Sequence, residues 1–186
     1  MQPQTVTSPV KSQSGKEVKI MCIILVGRVE KATHQQALSE NRDGFSVFTQ
    51  EYGLIKSPTK EQVKDCLGKF AIWHYRIGTS GKMDDYNIHP FEVCKGKYLL
   101  YHNGVLGSGV GNMSDTHALA SFLYDKDLRT VKSVLRSLSD RQRFLLVAAN
   151  NVNIFETFGD WCFDKGILMS HKMYTYQYVK GELFKL

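Results

Sequence analysis

No stretch of this chain approaches the about 18 consecutive apolar residues that a membrane-spanning helix needs. Its longest apolar run, IMCIILV at residues 20–26, has the length of a buried strand. The first twenty residues lack the apolar core of a secretory signal. No two of the cysteines, Cys22, Cys66, Cys94 and Cys162, form a CxxC pair suited to a metal or a redox disulfide. Reduced thiols and a cytoplasmic location are therefore expected, with no membrane partner. Blocks of like charge are missing as well. The formal net charge of +6 is spread over single Lys and Arg residues, and no known reader motif accompanies it, so nucleic acid is not an expected partner. The loop GSGVGNMSDT is not followed by Gly-Lys-Ser/Thr, which excludes a phosphate-binding loop. His74, His89, His102 and His117 lack helical or finger-like ligand spacing. No metal and no cofactor are expected.

What remains is an ordinary globular composition: 186 residues, 42% hydrophobic and 23% charged, enough for one domain with a real core. Residues 1–17, MQPQTVTSPVKSQSGKE, hold no Phe, Leu, Ile, Trp or Tyr. Such a segment cannot repay its ordering entropy by burial, so it is expected to be a flexible arm or removable leader, followed by a single domain over 18–186. Strands are expected at 18–26, after the Asp43-Gly44 turn, at KFAIWHYRIG and at KYLLYHNG, and later at RQRFLLVAAN, VNIFETFG and GILMSHKMY. Helices are expected near 33–40, over SPTKEQVKDCLG with Thr59 and Gln62 as a capping box, from Ser114 to about 124, and over 128–138. Hairpins mixed with helices give an α+β domain of packed layers.

Several of these residues have two readings. Cys22 is flanked by apolar residues, as a buried strand cysteine would be. Yet Met21 precedes it directly, so a start at Met21 and methionine removal would leave Cys22 first. A terminal cysteine carries its own base, because its α-amine has a reference pKa of about 7.7–8.0 and can take the thiol proton. In HYRIGTSG, Arg76 ends a buried strand and suits either a bidentate grip on a carboxylate or a structural ion pair. In YHNG, the Asn103 amide and the Gly104 N–H could converge as an oxyanion hole, or could simply be an Asn-Gly turn. Asp115 stands at a helix start, where the dipole favours it, or where it could receive a substrate ammonium.

Taken in order, MCIILVG, DGF, HYRIGTSG, NIHPF, YHNG and SDT resemble the class II glutamine amidotransferase domain, of the N-terminal-nucleophile hydrolase type. The likeness is to short stand-alone versions in bacteriophage and bacterial genomes and runs from residue 21 to about 174. It implies a four-layer αββα sandwich with the nucleophile at the start of a central strand. It also implies roles. Cys22 attacks the side-chain amide of glutamine, Arg76 and Thr79 hold the α-carboxylate, Asn103 and Gly104 form the oxyanion hole, and Asp115 binds the α-amino group.

The resemblance has departures. Twenty-one residues precede the cysteine, so activity requires their removal or a later start. CII replaces the common CGI. About twelve residues follow the likeness, so no synthase domain is expected in this chain to consume ammonia, and the expected partners are glutamine or a similar amide and a separate synthase or a phage or host protein. A catalytically silent fold, kept as a phage virion or host-interaction module, is the alternative. A related amidase acting on another amide keeps the same site.

Overall fold

The computed structural model describes residues 21–78, 81–82 and 84–171, together with the backbone of two strands further on, β11 (Tyr176–Val179) and β12 (Glu182–Lys185). The expected arm at 1–17 and candidate residue Thr79 lie outside the described residues.

The run after Cys22 forms β1 (Ile23–Arg28), whose first five residues are all buried. An uninterrupted apolar run needs cover on both faces, and β1 has it as an inner strand of a six-stranded antiparallel sheet. Across that sheet stand β3 (Gly53–Lys56), β2 (Phe45–Thr49), β4 (Phe70–Tyr75), β1, β10 (Ile167–Met169) and β9 (Cys162–Asp164). A four-stranded antiparallel sheet follows the order β5 (Phe91–Val93), β6 (Tyr98–Asn103), β7 (Arg143–Ala148) and β8 (Asn151–Phe158). Four helices complete the fold: α1 (Lys31–Glu40), α2 (Lys60–Cys66), α3 (Asp115–Leu123) and α4 (Leu128–Leu138).

Strand alternation divides the apolar side chains into separate cores. Ile24, Val26, Phe48 and Ile72 of the larger sheet meet Leu99, Tyr101, Leu145 and Val147 of the smaller one. On its other face the larger sheet sets Leu25, Trp73 and Tyr75 against Ala37 and Leu38 of α1 and Val63 and Cys66 of α2. The smaller sheet sets Leu100, Phe144 and Leu146 against Ala120 and Leu123 of α3 and Val131 and Leu135 of α4. The described residues thus form an α+β arrangement in which two antiparallel sheets carry four α-helices, with β11 and β12 paired as a separate hairpin, and this is compatible with the expected sandwich. Burial of each large side chain such as Trp73, Tyr101 or Phe144 contributes about 1.5–3 kcal/mol relative to exposure.

Register places the functional candidates. Ile23 pairs with Tyr75, so Cys22 and Arg76 leave neighbouring strands at the same end. Asn103 closes β6 and Asp115 opens α3. The strand expected over 18–26 is described from 23 to 28. Two residues are displaced at its far end because Gly27 and Arg28 still pair with Ala71 and Phe70.

Candidate functional site

A cavity of about 20 Å³ opens between the strand ends, lined by Cys22, Arg76, Gly104 and Asp115. That volume holds about one water. Its remaining wall comes from Ile77, Asn87, His89, His102, Ser114 and Thr116. Four of the expected site residues therefore meet on one space, although 93 positions separate the first from the last in sequence (22 and 115).

Cys22 is partly buried, and its thiol is held against the chain after β4. The Ile77 N–H donates to Sγ at 3.4 Å, and the S–H donates to the Ile77 carbonyl at 3.6 Å. Burial pushes this thiol up to about 11; the Ile77 contact and the Arg76 guanidinium oppose that, and Asp115 adds to it. Met21 precedes Cys22 in the described chain, so here the nitrogen of Cys22 belongs to a peptide bond.

Arg76 is 3% exposed and one of its terminal nitrogens donates to the Lys82 carbonyl at 3.1 Å. The DGF segment fixes the backbone around it. Asp43 N–H donates to the Arg76 carbonyl, Arg76 N–H donates to the Gly44 carbonyl, and Gly78 N–H donates to Asp43 Oδ2 at 2.8 Å. Asp43 thus fixes the backbone of residues 76–78, which carries the arginine and holds the Cys22 thiol, a role its turn position did not announce.

Asp115 serves the helix and the cavity together. Oδ2 accepts from the Leu106 N–H at 2.7 Å and the Gly107 N–H at 3.3 Å, and Oδ1 accepts from Thr116 N–H at 2.7 Å. The carboxylate therefore pins the loop after Gly104 to the start of α3. Ser114 caps that helix by accepting from His117 N–H.

Gly104 has φ +153, a conformation that side chains rarely adopt, and a Cβ there would run into Gln142 Oε1 and His102 Nε2. Asn103 is fully buried. Its Nδ2 lies 2.9 Å from Ser170 Oγ and 3.0 Å from His171 Nδ1, while its Oδ1 has no partner. Asn103 stands beside the cavity-lining Gly104 without lining the cavity itself.

Three wall residues carried no assignment from sequence. Asn87 accepts from the Ser114 N–H at 2.7 Å and donates to the Asn112 and Lys82 carbonyls, tying the Arg76 side to the α3 side. His102 hydrogen-bonds Thr116 Oγ1 at 2.7 Å and Gln142 Oε1 at 2.9 Å. His89 lies 2.6 Å from His74 through ring nitrogens. Burial holds His74 down to about 3, with Arg76 and His102 adding to the effect, and it holds His89 well below the ordinary histidine range. Both rings are neutral near pH 7. The available signal was polarity within apolar strands: His74 and His102 are buried along with the largely apolar runs that hold them.

Among the described residues no group of His, Cys, Asp and Glu could hold a metal ion, and no helix is long and apolar enough to cross a membrane.

No family model matches the chain. Over 102 residues, 55% of its length, it is 26% identical to glutamine–fructose-6-phosphate aminotransferase (isomerizing) of Listeria innocua. In an alignment 91 residues long that covers 40% of this chain, it is 31% identical to the protein of the same description from Lactococcus lactis. The matches span 17% and 15% of those proteins, so the chain is similar to a small part of each. This is weak, partial similarity to a glutamine-using aminotransferase.

Proposed function

We propose that this chain is a cysteine amidohydrolase of the N-terminal-nucleophile type, and within that class a glutaminase of the class II glutamine amidotransferase kind. The observation that carries the reading is the meeting of Cys22, Arg76, Gly104 and Asp115 on one cavity. A thiol, a cation, a backbone donor in a conformation reserved for glycine, and an anion are the groups that a zwitterionic amide substrate calls for. The partial similarity to glutamine-using aminotransferases supports glutamine as that amide.

The chemistry begins once Cys22 has a free terminus. Its neutral amine takes the thiol proton, and Sγ adds to the amide carbon. The oxygen gains a negative charge, stabilised by the Gly104 N–H and the Asn103 amide. The ammonium returns a proton to the departing nitrogen, the C–N bond breaks, and ammonia leaves a thioester. Water, deprotonated by the same amine, adds to the thioester and releases glutamate and the thiol. Arg76 and Thr79 hold the α-carboxylate, and Asp115 holds the α-ammonium. Ammonia passes to water or to a separate synthase that accepts it. The domain from Cys22 onward is the catalytic unit, and the segment before Cys22 keeps it silent until removed.

Protein beginning at Cys22 is expected to release glutamate from glutamine and to be labelled at Cys22 by a glutamine-mimicking diazo-ketone. Cys22→Ala should abolish both. A Cys22-initiated protein that is folded, yet neither turns over glutamine nor takes the label, would rule the proposal out.

A further inference from the structure

Ser170 touches both halves of the machinery. Its backbone N–H donates to the Ile24 carbonyl at 3.0 Å, and its Oγ accepts from the Ile24 N–H at 3.0 Å. The residue thus ends the pairing of β10 with β1 by substituting its hydroxyl for a backbone carbonyl. Ile24 lies two residues past Cys22. The same Oγ lies 2.9 Å from the Asn103 amide, at the end of β6 in the other sheet. Ser170 is 0% exposed, as is Asn103. One hydroxyl therefore links the nucleophile's strand to the residue next to Gly104.

Its proton decides what the link does. With Nδ2 toward Ser170, that Oγ accepts twice and its own hydrogen has no acceptor among the contacts of the described residues, while Asn103 Oδ1 is buried without a partner. Amide oxygen and nitrogen are nearly the same shape and are assigned by the network around them. Turning the Asn103 amide gives the Ser170 hydroxyl and the amide oxygen partners. Ser170 O–H then donates to the amide oxygen, and a His171 Nδ1–H donates to the same oxygen's second lone pair. Both N–H groups of Asn103 move to where the orphaned oxygen stood. The turned amide pairs its oxygen and the Ser170 hydroxyl, and in exchange holds two N–H groups without a partner until an oxygen of the substrate reaches them.

We propose that Ser170 is a positioning residue: its hydroxyl turns the Asn103 amide so that the NH₂ is the donor offered to a developing oxyanion, and it fixes that donor to the strand carrying Cys22. The inference rests on the amidohydrolase reading above and concerns how that site is held.

The test uses protein beginning at Cys22. Ser170→Ala should lower kcat about 10–100-fold and leave KM within about threefold, the pattern of a contact made in the transition state. Alkylation of Cys22 by iodoacetamide, which builds no oxyanion, should stay within about twofold. Ser170→Cys, nearly the same size but a weak donor, should show the same split and covers the case in which the alanine variant does not fold. In an Asn103→Ala background, the Ser170 substitution should cost nothing more, because the two act as a unit. Additive losses, or equal losses of turnover and alkylation, would overturn the proposal. A parent protein that turns over no glutamine removes the amidohydrolase reading and this inference with it. An active parent that is indifferent to Ser170 removes the inference alone.

Discussion

At Cys22 the fold works against reactivity while the chain continues through Met21. Burial pushes the thiol to about 11, so near pH 7 almost all of it is protonated. Alkylation of the arm-bearing protein should therefore keep rising with pH toward about 11. Freeing the terminus adds an amine that loses its proton at about 7.7–8.0. The alkylation rate of Cys22-initiated protein should rise through that range, and rate-against-pH curves for the two forms check it. Identical curves would show that the amine does not serve the thiol. Gly104 is the second sharp point. Gly104→Ala forces a Cβ into Gln142 and His102 and a φ of +153 on a side-chain-bearing residue. Turnover should fall at least about 100-fold, the scale for losing an oxyanion donor. Thermal melting separates this from unfolding: the strain should lower the melting temperature by roughly 2–12 °C, and a loss of turnover in protein still folded at the assay temperature is the expected result.

At the scale of elements, the legible features were those with local chemistry. The Thr59 box is present in full: the Gln62 N–H donates to Thr59 Oγ1, and the Thr59 N–H donates to Gln62 Oε1 at 2.9 Å. Ser114 likewise opens α3. Thr59→Ala should cost about 1 kcal/mol in urea unfolding and leave turnover unchanged, since α2 packs on the sheet face turned away from the smaller sheet. Elements whose reason is tertiary were not legible. The helix expected near 33–40 begins at Lys31, after Glu30 and with no side-chain cap, because His34 and Ala37 are drawn into the core whatever the terminus offers. Strands β3, β5 and β9 were unforeseen. Each is short and has its partner on only one side or at an edge, so pairing rather than pattern makes them strands. The site divided in the same way. Cys22, Arg76, Gly104 and Asp115 sit at element ends that sequence can locate. Asn87, Asp43 and Ser170 act by joining separate segments, which no local pattern records.

For the whole molecule, the neutral pair His74–His89 makes stability depend on pH. His74 lies on the face of β4 that carries Ile72 toward the smaller sheet, and Tyr101 packs 6.3 Å from it. The charged or titratable groups around the pair are Arg76, His102 and Lys56, and each opposes a proton there, while the His102 backbone favours one on His74 and is outweighed by burial. Both folded-state values lie below the unfolded value of about 6.5. Above that value neither state binds a proton at these rings, and their neutral burial carries no penalty. As pH falls below it, the unfolded chain takes up protons that the folded one refuses, so stability falls with pH. For two such rings the slope approaches about 2.7 kcal/mol per pH unit well below 6.5. Urea midpoints should therefore drop between pH 6.5 and pH 5. His74→Gln removes one titrating ring and should halve that slope while lowering stability at pH 7. If the midpoint is flat across this interval, the folded rings take up protons as readily as the unfolded ones, and the two sheets do not close over a neutral pair.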